Sequence, residues 1–151
     1  MALSELIKNG LVLDFECDNQ ETFFNTLYET LKDEYVNEDF LSAIKIREYE
    51  FPTGLMTRSM AVAVPHVESE YVYKNALILC RFKKPVDFRR MDDFDSFIGV
   101  ELAFVLLITD PTVHIKTLQD LTKIWQNDEI LKELTTSTKE EIVEIVKGIE
   151  S

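Results

Sequence analysis

Histidine, cysteine, glycine, proline and positive charge are all in short supply in this chain, and each shortage excludes something. The two cysteines, Cys17 and Cys80, stand 63 positions apart with no partners at metal-ligand spacing, so neither a disulfide framework nor a zinc site has support. Both read as reduced thiols, with Cys80 inside a buried strand. With only 4 glycines and 4 prolines, no linker, repeat or low-complexity tract divides the sequence, and its length suits one domain, 1–151. No apolar run approaches the ~20 residues of a membrane span. The start, Met-Ala-Leu-Ser-Glu-Leu-Ile-Lys, lacks the basic stretch and apolar core of a secretory signal. A soluble cytoplasmic protein with no direct membrane insertion is the expectation. Lys and Arg number 16 against 28 Asp and Glu, a formal net charge of −12. That excludes nucleic acid as the main ligand, because such binding depends on neutralising phosphates. It leaves room for a local basic pocket that holds one phosphoryl group, or for a positively patched protein partner.

Against this background the stretch 60–66, Met-Ala-Val-Ala-Val-Pro-His, stands out. Small and β-branched residues in a run too short for a helix predict a buried strand over 60–64. Pro65 brings no N–H and favours extended backbone at Val64, so the ladder is expected to end there and the chain to leave the sheet. His66 then sits at the strand's mouth, held by the sheet and facing a cleft, the arrangement of a nucleophile or proton carrier. A structural strand-end histidine fits the same position.

Residues 10–15 read as a first strand, with turn and capping chemistry in Asp18, Asn19 and Gln20. Phe23, Phe24, Leu27, Tyr28, Leu31 and Tyr35 recur at helical spacing, which predicts a helix over 21–35 with one apolar face. A second helix, capped by Asn37 and ending before Pro52, turns Phe40, Leu41 and Ile44 inward and leaves Lys45 and Glu48 in solvent. Near its end Arg47 either pairs with Glu48 on the surface or points at an anion across the cleft. Phe51-Pro52-Thr53-Gly54-Leu55 suits a tight turn with a positive φ at Gly54.

After an irregular acidic and aromatic stretch at 67–73, strands are expected at 76–82 and 85–91, the second a less buried edge strand. Asp92, Asp93 and Asp95 form a loop without the glycine and closing glutamate of a calcium hand. The run 99–108 is the most hydrophobic and belongs at the centre of the sheet, buried on both faces. Asp110 as N-cap and Pro111 as first helical residue put His114 within about the first turn of a helix. His114, Leu118, Leu121 and Trp125 share its inward face. A helix N-terminus disfavours imidazolium and welcomes an anion, so His114 suits a neutral donor beside a phosphate; a half-buried structural histidine fits equally. A short helix over 128–134 and a last one over 139–149 close the chain. Ser137 and Glu140 make a capping box for the last, with Ile142, Ile145, Val146 and Ile149 as its buried stripe. The element order predicts an α+β protein, a single three-layer α/β/α domain whose mixed β-sheet carries helices on both faces.

Arg47-Glu48, then Pro52-Thr53-Gly54-Leu55, then Ala61-Val62-Ala63-Val64-Pro65-His66 form a pattern. With 86–91, 100–108 and Asp110-Pro111 ahead of His114, that pattern resembles the enzyme IIA components of the bacterial sugar phosphotransferase system (PTS). The likeness lies in the fructose-mannitol (type 2) superfamily, nearest its galactitol-type branch. The resemblance implies that His66 accepts a phosphoryl group from the carrier protein HPr and passes it to a cysteine of enzyme IIB, which serves a membrane enzyme IIC. It implies that Arg47 and His114 support the phosphorylated site, and it puts phosphate or partner contacts at Thr53, Gly54, Pro65 and Val67. Val67 stands where the family usually has a small residue, and Glu68 puts a carboxylate close to the reacting nitrogen. Such transfer needs a neutral imidazole in the right tautomer and stabilised equatorial oxygens, so no metal or cofactor is called for. Added phosphoryl charge also alters docking surfaces. Two alternatives therefore stand beside a transport role: a regulatory enzyme IIA-like protein and a non-phosphorylated adaptor.

Overall fold

Two long antiparallel strands set the architecture of the computed structural model, which describes residues 1–150. β4 (Ala76–Arg89) and β5 (Phe97–Leu107) pair with each other and take the inner positions of a five-stranded sheet of order β1-β4-β5-β3-β2. β1 (Val12–Phe15) runs parallel to β4 on one side. On the other, β3 (Ala61–Ala63) runs parallel to β5, and β2 (Leu55–Met56) pairs antiparallel with β3. The central place expected for 99–108 is the one β5 occupies.

The sequence of β4 and β5 changes character along their length because the layers above and below them do. Residues 76–80 and 102–107 are continuously buried, whereas the far ends alternate buried and exposed. Where helices cover both faces, every position must be apolar; where one face meets water, every second one is released. One face carries α2 (Gln20–Leu31) and α3 (Phe40–Glu50), which bury Phe23, Phe24, Leu27, Phe40 and Ile44 against Ile78, Cys80 and Val105. The other carries α1 (Leu3–Asn9), α4 (Pro111–Trp125), α5 (Asp128–Leu134) and α6 (Lys139–Ile149), packed on Leu77, Leu79, Leu102 and Phe104. The three-layer mixed-sheet arrangement is the expected one.

Local expectations differ from the structure at identifiable points. The stretch 85–91 is no separate edge strand: it continues β4, with Val86 and Phe88 fully buried, because a register shift between Arg81 and Val86 lets the ladder resume. α2 stops at Leu31 rather than 35, since Asp33 takes a φ of 74° that no helix continues through. The second helix starts after Asp39, and Asn37 instead accepts from the Asp39 N–H in the turn before it. The last helix is boxed by Thr138 and Glu141, one residue beyond the expected pair. α1 and β2 were not expected at all.

Gly54 has no positive φ. Its N–H donates to the Arg89 carbonyl at 3.0 Å and its own carbonyl accepts from the Met91 N–H at 2.9 Å. A Cβ there would lie 2.5 Å from the Arg89 carbonyl oxygen, so close backbone approach is what requires glycine. Gly54→Ala is expected to destabilise the fold by about 1–3 kcal/mol through overpacking. Gly148→Ala in α6, where an added Cβ meets nothing within 4 Å, should stabilise by roughly 0.5 kcal/mol. Urea midpoints of the two variants, moving in opposite directions from the parent, check the pair.

Candidate functional site

At the end of β3 the backbone leaves its ladder in steps. The Val64 N–H donates to Oγ1 of Thr53 at 3.2 Å. Pro65 has no N–H, yet its carbonyl accepts from the Leu106 N–H at 3.1 Å, and His66 forms an isolated bridge with Leu106. The chain therefore follows β5 for two residues past the expected exit, because proline removes a donor and keeps an acceptor. Held this way, His66 turns its Nδ1 to the Val64 carbonyl at 2.7 Å. A carbonyl only accepts, so Nδ1 carries the proton and Nε2 keeps its lone pair. Burial pulls the His66 pKa down to about 4, helped by His114 and Arg47 and opposed by the Val64 bond and Glu68. The ring is thus neutral at physiological pH.

α4 supplies the opposite wall. Asp110 caps it by accepting from the Thr112 N–H at 3.0 Å, Pro111 is its first residue, and His114 follows within the opening turn. The His114 ring lies 4.7 Å from that of His66, tilted by 59°. Burial, then the charge of Arg47, lowers its pKa as well. Arg47 reaches in from the last turn of α3 and donates from Nη1 to Glu68 Oε1 at 2.8 Å, with Phe51 under its guanidinium at 5.3 Å. Its partner is thus Glu68, across the cleft, and not the neighbouring Glu48. These groups, together with Val67, Leu106, Ile108 and Pro111, line one cleft of about 270 Å³.

Two polar atoms in this wall are buried without a partner: Arg47 Nε and His114 Nε2. Leaving such an atom unpaired costs roughly 1–3 kcal/mol. An oxyanion in the cleft would give the Arg47 N–H an acceptor, and would do the same for His114 in the tautomer protonated at Nε2.

The structure brings together Arg47, His66, Val67 and His114. Thr53, Gly54 and Pro65 are buried and lie outside the cleft lining. Thr53 belongs to a network that the sequence did not announce. Glu48, expected in solvent, is 4% exposed. Its carboxylate accepts from the Thr53 N–H at 2.7 Å and from the Thr53 hydroxyl at 2.8 Å. Burial pushes its pKa up to about 7 against those two bonds and the charges of Arg89 and Arg47. A signal was present: Phe40, Ile44 and Glu48 follow one another at spacings of four, so Glu48 continues the buried stripe of α3.

Residues 5–149 match the family described as the phosphoenolpyruvate-dependent sugar phosphotransferase system, EIIA 2. The galactitol-specific EIIA component of Escherichia coli K12 is 31% identical over 127 residues, 84% of each chain. Among solved structures, a candidate PTS IIA, PtxA, of Streptococcus mutans superposes with a TM-score of 0.76 at 20% identity, covering 98% of this chain and 94% of that one. Enzyme IIA of mannitol from E. coli, in its complex with phosphorylated enzyme IIB, gives 0.70 at 23%, covering 91% and 94%. The fold is shared with both structures, the family match spans nearly the whole sequence, and this chain belongs to the EIIA type 2 family of the sugar phosphotransferase system.

Proposed function

We propose that this EIIA phosphocarrier accepts its phosphoryl group on Nε2 of His66 from phosphorylated HPr and hands it to a cysteine of an enzyme IIB of the galactitol type. The observation that carries the reading is the pairing of a neutral His66, its lone pair on Nε2, with the unpartnered Nε of Arg47 and Nε2 of His114 on residues that line the same cleft. In acceptance, the Nε2 lone pair forms a bond to phosphorus while the bond to the donor of HPr breaks and its electron pair leaves with HPr. Positive charge that develops on the ring is shared with Nδ1–H, whose bond to the Val64 carbonyl strengthens. Arg47 and His114 stabilise the equatorial oxygens, which is most of what such a transfer asks of a protein. In delivery, the cysteine thiolate of enzyme IIB forms the S–P bond, the N–P bond breaks, and the pair returns to Nε2. The galactitol assignment is supported by the 31% identical relative. The work is placed in the cytoplasm beside a membrane enzyme IIC; no helix among the described residues is long and apolar enough to cross a membrane itself.

Incubation with phosphoenolpyruvate, enzyme I and HPr should add one phosphoryl mass that disappears in His66→Ala and when HPr is omitted. Retained phosphorylation of His66→Ala would sink the assignment. Phosphorylated protein that no enzyme IIB discharges would instead favour a regulatory role. His114→Ala should stay folded and slow transfer by on the order of 10²-fold, the usual loss for one electrostatic donor; unchanged single-turnover kinetics would leave His114 a structural residue.

The depressed pKa of His66 also fixes a sign. A histidine neutral in the folded state down to about pH 4 gives stability that is complete above the unfolded value of about 6.5 and is lost as pH falls from there toward 4. A ¹⁵N titration of the His66 ring should show no protonation between pH 8 and pH 5.5, whereas a midpoint near 6.5 would contradict the buried neutral ring.

A further inference from the structure

Beneath the cleft the Glu48 and Thr53 bonds continue to the reacting ring. Glu48 Oε2 and Oε1 accept from the Thr53 N–H and hydroxyl at 2.7 and 2.8 Å. Thr53 Oγ1 accepts from the Val64 N–H at 3.2 Å, and the carbonyl of that same Val64 accepts from His66 Nδ1 at 2.7 Å. The direction of this relay is dictated by donor and acceptor capacity. The Val64 N–H can only donate, so Thr53 Oγ1 presents a lone pair to it, and in the ionised form of Glu48 the hydroxyl proton goes to the carboxylate. Val64 follows the last residue of β3, and Thr53 supplies the acceptor for its N–H.

We infer that Thr53, with its hydroxyl aimed by Glu48, is a positioning residue for the transfer: it holds the Val64 residue whose carbonyl keeps His66 protonated at Nδ1 and nucleophilic at Nε2. Loss of the hydroxyl leaves the Val64 N–H buried and unpaired and frees its backbone to turn. A ring released from the carbonyl populates the other tautomer, with the proton on Nε2 and no lone pair facing the phosphorus. The inference rests on His66 being the phosphoryl acceptor, and its structural half can be read without any phosphoryl transfer.

The test compares Thr53→Val, which keeps the volume and removes the hydroxyl, with Thr53→Ser, which restores it. Long-range ¹H–¹⁵N spectra of the unphosphorylated protein report the His66 tautomer, and rapid-quench kinetics with phosphorylated HPr report the transfer. Thr53→Val is expected to raise the population protonated at Nε2 and to lower kcat by about tenfold, the equivalent of one hydrogen bond, with KM for HPr unchanged. Thr53→Ser should recover both. A folded Thr53→Val that keeps the Nδ1-protonated ring and the parent kcat overturns the inference. Should Thr53→Val fail to fold, Thr53→Ala removes the same hydroxyl without placing a methyl against the Glu48 carboxylate and carries the same two readouts; an unchanged tautomer and kcat there overturn the inference equally. A tautomer shift in a protein that HPr never phosphorylates would uphold the positioning role and remove the phosphocarrier reading.

Discussion

The hydrogen bond between His66 Nδ1 and the Val64 carbonyl decides which imidazole nitrogen is free, and the surrounding structure serves to keep its two partners in place. They are two residues apart across a proline, so the contact is a property of local backbone that no amount of side-chain packing can supply. Three restraints converge on it. The Pro65 carbonyl is tied to the Leu106 N–H in the central strand, the Val64 N–H is tied to Thr53, and Thr53 is tied to the buried end of α3. β5 is rigid at this point because helices cover both faces of the sheet.

Charge is organised on two scales. The molecule as a whole is strongly acidic, yet in the cleft the one carboxylate, Glu68, is matched by the Arg47 guanidinium beside two imidazoles. Glu68 mediates between the scales by holding Nη1 of Arg47 while Nε stays unpartnered. Both members of that pair are partly in solvent, 31% and 53% exposed at their side chains, and such a pair contributes at most about 1 kcal/mol. It orients Arg47 without locking it. A phosphoryl group bringing about −1.5 to −2 charges competes for the same guanidinium on favourable terms, and the carboxylate released by that exchange adds to the charge at the mouth of the cleft.

Much of this was readable from residues alone where the chemistry is local. Pro65 next to His66, and Asp110 and Pro111 ahead of His114, are strand-end and helix-start signals that depend on no distant contact, and they placed both histidines. The central position of β5 was legible because a strand buried on both faces must be apolar throughout. What failed was whatever depends on a partner elsewhere. The stretch 85–91 alternates like an edge strand, yet the covered face beneath it makes Val86 and Phe88 core. Gly54 looked like a turn residue, since a sequence does not reveal that the Arg89 backbone passes 2.5 Å from its missing Cβ. α1 went unseen because seven residues are too few for periodicity to assert itself, and its stability comes from packing on β4 and α6.

Glu48 shows most clearly how fold and site compete for one position. On the α3 stripe a leucine would complete the apolar face begun by Phe40 and Ile44, and burying a carboxylate in its place is expensive unless hydrogen bonds satisfy it. Here both oxygens are satisfied, one by a backbone N–H and one by a hydroxyl of the same residue. An apolar side chain would remove the desolvation cost and leave the Thr53 N–H without its partner, with its hydroxyl free to rotate. The helix would pack better, and the acceptor that Val64 depends on would lose its direction. A carboxylate that is a poor choice for stability at this position is a good one for keeping a nucleophilic nitrogen in register with the cleft it faces.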